Sequence, residues 1–267
     1  MPARIVAVTS LALEARIALG PGVAVICSPG SQLADDLASA VDLGVSGIIS
    51  FGIAGGLSPG LRAGNWIVAA AIRAGRQIFP TDRAWTRSLL ERLPSATHAD
   101  IVGVDAPVAE ASDKWSLRSQ TGAAAVDTES HIAARIAARG RVPFVACRVV
   151  IDPVDTRLPP AALVGLSPDG TADIAAVFRS VLKQPGQIPD LVRTALDARV
   201  ARAALYAGRQ MLGAGLGFPQ FDDPADAGPS ARPGTDIAGH SGSTQRPAGR
   251  GVLVDAVGQD RPTSGGP

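Results

Sequence analysis

The chain has 267 residues, 46% of them hydrophobic, which is enough for one domain with a sizeable core. A net charge of +1, 18% charged residues and 4% aromatics exclude the broad basic field and stacking surfaces that nucleic-acid binding uses. No run of about 18 apolar residues occurs, so no membrane span is expected. The start, Met1 to Val8, is strand-like and too short for a secretory leader. Cys27 and Cys147 both sit in apolar runs and are expected to be buried, reduced thiols of a cytoplasmic protein. Lys114 and Lys183 are the only lysines, so arginine carries nearly all the positive charge, which reads as a compositional habit.

In chain order, Arg4–Thr9 and Val23–Cys27 read as strands rich in branched residues. Ser31–Leu43 reads as a helix: Ser31 is the expected N-cap, Leu33, Leu37 and Val41 form one stripe, and Gly44 ends it. A short buried strand, Gly47–Phe51, is followed by a strand at Trp66–Ile72 and a helix at Asp82–Leu93 with Pro94 beyond it. Ile101–Asp105 and Ala123–Val126 read as strands, the second running into a helix over Thr128–Arg139. Phe144–Ile151 is almost wholly apolar, as a central strand covered on both faces should be. Thr171–Lys183 and Pro189–Leu212 read as closing helices. This alternation predicts an α/β fold of three layers with a mainly parallel sheet flanked by helices. From Gly213 on, Pro, Gly, Ser, Asp and Arg dominate. Residues 1–212 are therefore expected to form the domain and 213–267 a disordered tail, in which only Val252–Val254 is strand-like.

Three carboxylates stand beside expected strand ends: Glu14 after the first strand, Glu129 in Val126-Asp127-Thr128-Glu129-Ser130, and Asp152 closing the apolar run. In parallel α/β folds ligands bind outside the carboxyl ends of strands, so carboxylates there are candidates for chemistry. Ser50-Phe51-Gly52-Ile53-Ala54-Gly55-Gly56-Leu57 reads as a glycine-rich turn between them, where glycine permits close approach of a ligand. It fits neither a dinucleotide fingerprint nor a P-loop. Ser28-Pro29-Gly30-Ser31 is a second strand-to-helix loop, read as a plain cap. Local context alone makes Glu14 a solvated helix-start residue, Asp152-Pro153 a turn former and His131 an ordinary helix residue. Arg148, inside a buried-looking strand, needs a partner, and Asp127 or Glu129 could serve.

Taken together, Ile49–Leu57, Val126–Ser130, Val150-Ile151-Asp152-Pro153 and Glu14 resemble the nucleoside phosphorylase and nucleosidase superfamily, on the methylthioadenosine/adenosylhomocysteine nucleosidase side. Asp127-Thr128-Glu129-Ser130-His131 and Asp152-Pro153 with Leu158-Pro159-Pro160 are most similar to the hopanoid-associated phosphorylase group. The resemblance spans residues 3–212. It implies a mixed sheet bearing a distorted barrel and cleavage of a purine N-glycosidic bond. In the hopanoid branch it implies release of adenine from adenosylhopane, with soluble methylthioadenosine or adenosylhomocysteine as the in-class rival and a non-catalytic nucleoside binder as the other alternative. It gives Asp152 the role of acid toward the purine, Glu14 that of base for the attacking water, and Glu129 that of ribose ligand. Thr128, Ala54, Gly55 and Val108 would line the substrate site, with Asp127 behind them. No metal and no cofactor is implied, inorganic phosphate being the alternative co-substrate, and homo-oligomers are usual.

The sequence also departs from the family pattern. Ser50 and Ile53 stand where the phosphorolytic branch carries an arginine and a serine for phosphate, which favours water as nucleophile; Arg16 or Arg62 would be the substitutes. Pro107 replaces a base-stacking aromatic, and Thr128 replaces a methionine at the ribose face. Leu205–Phe218, with Tyr206, Met211, Leu212, Leu216 and Phe218, is the candidate apolar rim for peripheral membrane contact, against the alternative of a closing helix packed on the sheet.

Overall fold

Branched apolar residues in runs of four to nine build the sheet, and the helices between them carry one apolar face each. The computed structural model describes residues 4–164, 174–219 and 221. Its strands are β1 (Ile5–Val8), β2 (Val23–Ile26), β3 (Gly47–Gly56), β4 (Trp66–Ala74), β5 (Gln77–Pro80), β6 (Thr97–Gly103), β7 (Ala125–Asp127) and β8 (Phe144–Asp152). The helices are α1 (Ala12–Ala18), α2 (Gly30–Asp42), α3 (Arg83–Arg92), α4 (Ala111–Thr121), α5 (Ser130–Gly140), α6 (Pro160–Val164), α7 (Ile174–Lys183) and α8 (Ile188–Leu212). No helix among the described residues is long and apolar enough to cross a membrane.

The strands run in the order β2-β1-β3-β7-β6-β4-β5, and β8 pairs with both β3 and β4. Those last two pairings close β3, β8, β4, β6 and β7 into a ring, the distorted barrel, with β1–β2 and β5 as extensions. The β1–β2, β1–β3, β3–β8, β4–β6 and β6–β7 pairs are parallel, whereas β3–β7, β4–β5 and β4–β8 are antiparallel. The expected fold class, a mixed sheet with a barrel between helical layers, is what the chain forms.

Alternate strand residues serve opposite layers. Ile5, Ala7, Phe51, Val145, Cys147 and Val149 pack with Trp85, Leu89, Leu205 and Leu212 of α3 and α8. Val6, Val8, Ile48, Ala146 and Val150 pack with Leu33 and Leu37 of α2 and Ala133, Ala134 and Ala137 of α5. With every β8 residue from Phe144 to Val150 buried, the apolar run is satisfied on both faces.

Several expectations change. The glycine-rich segment is not a turn: β3 continues through it to Gly56, with a register shift between Ala54 and Gly55. Ser31 lies inside α2, whose N-cap is Pro29 without a side-chain bond. Cys147 is buried but Cys27 is exposed, because β2 is an edge strand that ends at Ile26. Helices α4 and α6 and strand β5 have no counterpart among the expected elements, and α1 has only the helix start read at Glu14. The folded domain also runs past residue 212. Trp85 Nε1 donates to Leu216 O at 2.9 Å, and the Trp85 ring meets Phe218 edge to face at 4.9 Å. Leu212, Leu216 and Phe218 are all buried in the core, each contributing about 1.5–3 kcal/mol of burial to set against ordering. Residues 222–267, with Val252–Val254, lie outside the described residues, as do 171–173 at the expected start of α7.

Candidate active site

Glu14 is the third residue of α1 and is 1% exposed. Its Oε2 accepts from the amides of Ser10 and Leu11, both at 2.9 Å, so it does close the open donors of a helix start. It is not solvated, however. Oε1 accepts from Ile53 N at 2.7 Å, which ties α1 to the middle of β3. A carboxylate offers about four acceptor positions, so one remains after these three bonds. Burial raises the Glu14 carboxyl above its ordinary range, and the nearby Glu129 raises it further. The Arg148 charge and the amides of Ile53 and Leu11 pull the other way.

Arg148 is the centre of the cluster. It lies on β8 opposite Gly52, fully buried. Its Nη2 donates to Ser50 Oγ at 2.5 Å and to Glu129 Oε2 at 3.2 Å, and its Nη1 donates to Ile53 O at 3.4 Å. Nε lies 2.9 Å from Asp127 Oδ2, close enough for an ion pair but off line for a hydrogen bond. Burial pulls the guanidinium down, but Asp127, Glu129 and Glu14 outweigh it and hold the charge. Asp127 and Glu129 are thus both partners of the buried arginine.

The register of the sheet explains the convergence. Gly52 has φ of 149°, and a Cβ there would stand 2.5 Å from Glu14 Oε1 and 2.8 Å from Arg148 Nη1. Only glycine leaves room there for both the carboxylate and the guanidinium beside β3. Asp127 closes β7, and its carboxylate accepts from Ser130 N at 3.0 Å and from Ser130 Oγ, which satisfies the first amide of α5. Ser130 Oγ, its one proton given to Asp127, accepts in turn from Ser50 Oγ at 2.8 Å. Glu129, 8% exposed, follows β7 and also accepts from Thr128 Oγ1.

Asp152 stands apart from this cluster. The register shift in β3 places it opposite Gly55, three residues or roughly 10 Å along the strand from Gly52. Gly55 also pairs with Val126 of β7, so Asp152 and the Asp127–Glu129 segment flank one stretch of β3. Asp152 is 3% exposed and its Oδ2 is bonded to the ammonium of Lys114. Burial raises its carboxyl to about 6 against the lowering effect of Lys114. Ala54 is buried, and Val108 packs half-buried against Leu57, Val102, Ala123 and Val126 beside Gly55.

The structure therefore brings Glu14, Asp127 and Glu129 together and sets Asp152 three strand positions away. Lys114 was missed. The available signal was that it is one of two lysines among 25 basic residues. The substitutes for a phosphate-binding arginine are not at Ser50 and Ile53. Arg62 is held by Asn65 Oδ1 and Leu61 O in its own loop, and Arg16 lines a groove between α1 and α8. His131 is a buried helix residue whose Nε2 meets the exposed Asp105 at 3.1 Å.

The sequence matches the family described as Phosphorylase superfamily over residues 30–183, and the chain belongs to that superfamily. Glu14 lies before the matched span. No curated protein matches the chain significantly. Among solved structures, the chain is similar to the 5'-methylthioadenosine/S-adenosylhomocysteine nucleosidase of Helicobacter pylori, with a TM-score of 0.57 at 13% identity over 79% of this chain and 96% of that one. It is similar to the futalosine hydrolase of the same species, with a TM-score of 0.53 at 16% identity over 69% and 99%. The adenine complex of the corresponding nucleosidase from Colwellia psychrerythraea gives 0.54 at 15% identity over 69% and 96%. At these identities the likeness is one of fold.

Proposed function

We propose that the chain cleaves the N-glycosidic bond of an adenosine-type nucleoside, with water as the nucleophile. The observation that carries this is the convergence of Glu14, bonded to Ile53 N, and of Glu129, bonded to Arg148, on the stretch of β3 at Gly52, with Asp152 along the same strand. Glycosidic cleavage builds positive charge on the sugar and negative charge on the departing base. Glu129 would hold ribose hydroxyls, with Thr128 bonded beside it. Glu14, made more basic by burial, has one acceptor position left for a water. Asp152 is the acid toward the purine, and a pKa near the working range suits a group that must give up a proton.

Water is favoured over phosphate by charge and by occupancy. A phosphate here would face Glu14, Asp127 and Glu129, with Arg148 as the cation already paired to Asp127 and Glu129. Ser50 Oγ is already engaged by Arg148 and Ser130, and the Ile53 amide is engaged by Glu14.

The substrate proposed is adenosylhopane, on the motifs around Glu129 and Asp152. One surface feature favours a lipid-linked nucleoside over a soluble one. A groove between α1 and α8, beginning one residue from Glu14, is lined by the exposed Leu13, Leu19 and Tyr206 together with Arg16, Arg199 and Arg202. Apolar and basic side chains together suit an anionic lipid surface. Leu212, Leu216 and Phe218 are core residues and leave the proposed rim, while Met211 stays exposed.

The test is adenine release from adenosylhopane, methylthioadenosine and adenosylhomocysteine, with and without phosphate, beside Asp152→Asn. Release without phosphate, reduced about 10²–10⁴-fold in the variant, is expected. Release that requires phosphate would overturn the assignment of water, and equal release by the variant would overturn that of Asp152.

A further inference from the structure

Lys114 is the largest feature near the site that the proposed chemistry leaves unused. It is fully buried on α4. Its ammonium has three donors, and all three are met: Asp152 Oδ2, Pro153 O at 3.1 Å and Thr156 O at 2.8 Å. A saturated ammonium binds no ligand of its own. It fixes the Asp152 carboxylate and the loop that follows β8 as one unit. Gly55, with no side chain, leaves room beside the same carboxylate, whose Oδ1 would be 3.5 Å from a Cβ there.

A purely structural role explains this pair poorly. A buried ion pair contributes little net stability, and apolar residues of similar volume often do as well. The habit of this chain is arginine, yet the enclosed position holds the compact point charge of lysine, which delivers three separate bonds. A carboxyl enclosed without a cation would also be held protonated too firmly to act as an acid.

We propose that Lys114 is the positioning residue of the acid: it holds the Asp152 carboxyl over Gly55 and stabilises the carboxylate that remains when the proton passes to the departing base. The inference rests on the assignment of Asp152 as that acid. In the step, the Asp152 proton moves to the purine ring nitrogen, and the electron pair of the broken sugar–base bond stays with the base. The water oxygen bonds to the sugar carbon and its proton goes to Glu14. Asp152 regains a proton from solvent after the base leaves. The charged groups acting on Asp152 are Lys114 from α4, which favours its carboxylate, and Asp197 from α8, which opposes it.

The experiment pairs a carboxyl 13C NMR titration of Asp152, assigned with Asp152→Asn, with pH profiles of adenine release for wild type, Lys114→Met and Lys114→Arg. Wild-type Asp152 should titrate near the expected value of about 6. In Lys114→Met the titration and the alkaline limb of kcat should both move up by about one pH unit or more. There kcat at neutral pH should fall roughly 10²-fold with KM nearly constant, and Lys114→Arg, which keeps the charge but not the compact ammonium, should return the limb toward wild type without restoring kcat. A kcat loss without a shifted limb would make Lys114 structural and overturn the proposal. So would an unmoved Asp152 titration in Lys114→Met. If that variant does not fold, a wild-type Asp152 that titrates above about 8 despite the lysine overturns it equally. A wild type that releases adenine from no nucleoside would instead overturn the function proposed for the site, an outcome distinct from an active wild type with an unmoved titration.

Discussion

Among the described residues, two buried cations, Arg148 and Lys114, organise the site, and they do opposite things. Arg148 stands among three carboxylates, Asp127, Glu129 and Glu14, so its neighbourhood carries excess negative charge, and burial, with Glu129 adding to it, pushes Glu14 toward protonation. Lys114 stands with one carboxylate and two carbonyls, so charge there is balanced. The first arrangement suits attracting a cationic sugar and activating a water. The second suits an acid that must release a proton and return to a stable carboxylate. The fold separates them by three residues of one strand, with Gly52 making room for one and Gly55 for the other.

Removing the first cation is expected to have the largest effect. Arg148→Met leaves three buried carboxylates without a counter-charge and should lower stability by about 3–5 kcal/mol. For a domain of this size that is a fall in Tm of roughly 10 °C, read by thermal unfolding. A Tm within about 2 °C of wild type would show the carboxylates to be neutralised by other means.

Asp152 offers a sharper comparison through pH. Its folded-state pKa is raised from 3.8 to about 6. The folded state therefore holds more protons than the unfolded one between those values, and stability falls as pH rises through them. The contribution is fully present below about pH 4 and is lost by about pH 6, a change of about 3 kcal/mol. Glu14 acts in the same direction. Urea unfolding from pH 4 to 7 should show this downward slope in wild type and a shallower one in Asp152→Asn. Equal slopes would mean that the Lys114 pair does not titrate in this window.

Gly52→Ala should have the smallest effect of the three, about 1–3 kcal/mol, from crowding of Glu14 and Arg148 and a backbone angle that side chains rarely adopt. Its activity loss should exceed what the stability loss explains, because the crowded atoms are those of the site. As a reference, the partly exposed Arg73–Asp100 pair should cost no more than about 1 kcal/mol when Arg73 is replaced by Ala. Comparable effects at both positions would remove the distinction between a crowded site and an ordinary surface.

Much of this was legible from local pattern. Alternating runs of branched residues gave β1, β8, α2 and α8 nearly to their ends, since burial on one or two faces leaves a period in the sequence. Glu14, Glu129 and Asp152 stood out because each follows an apolar run that must be a strand. The charged residue buried in β8 announced its own need for partners, since an unpaired buried guanidinium is too unfavourable to persist.

What the sequence by itself determined was the layer order and the residue types at the strand ends, because both follow from near-neighbour periodicity and the exclusion of water. Tertiary structure alone decided the rest. Closure of the ring requires β8 to pair with β3 and β4 together, and no local pattern encodes two partners. The glycine segment looks like a turn by composition, but β8 pairs with it through the bulge and makes it strand. Lys114 meets Asp152 across 38 residues, from a helix whose apolar stripe is too weak to read. Leu216 and Phe218 enter the core because Trp85, some 130 residues earlier, has an indole N–H to satisfy and a ring to cover. In each case the deciding contact joins residues far apart in the chain, and a buried polar group accepts whatever partner the fold delivers.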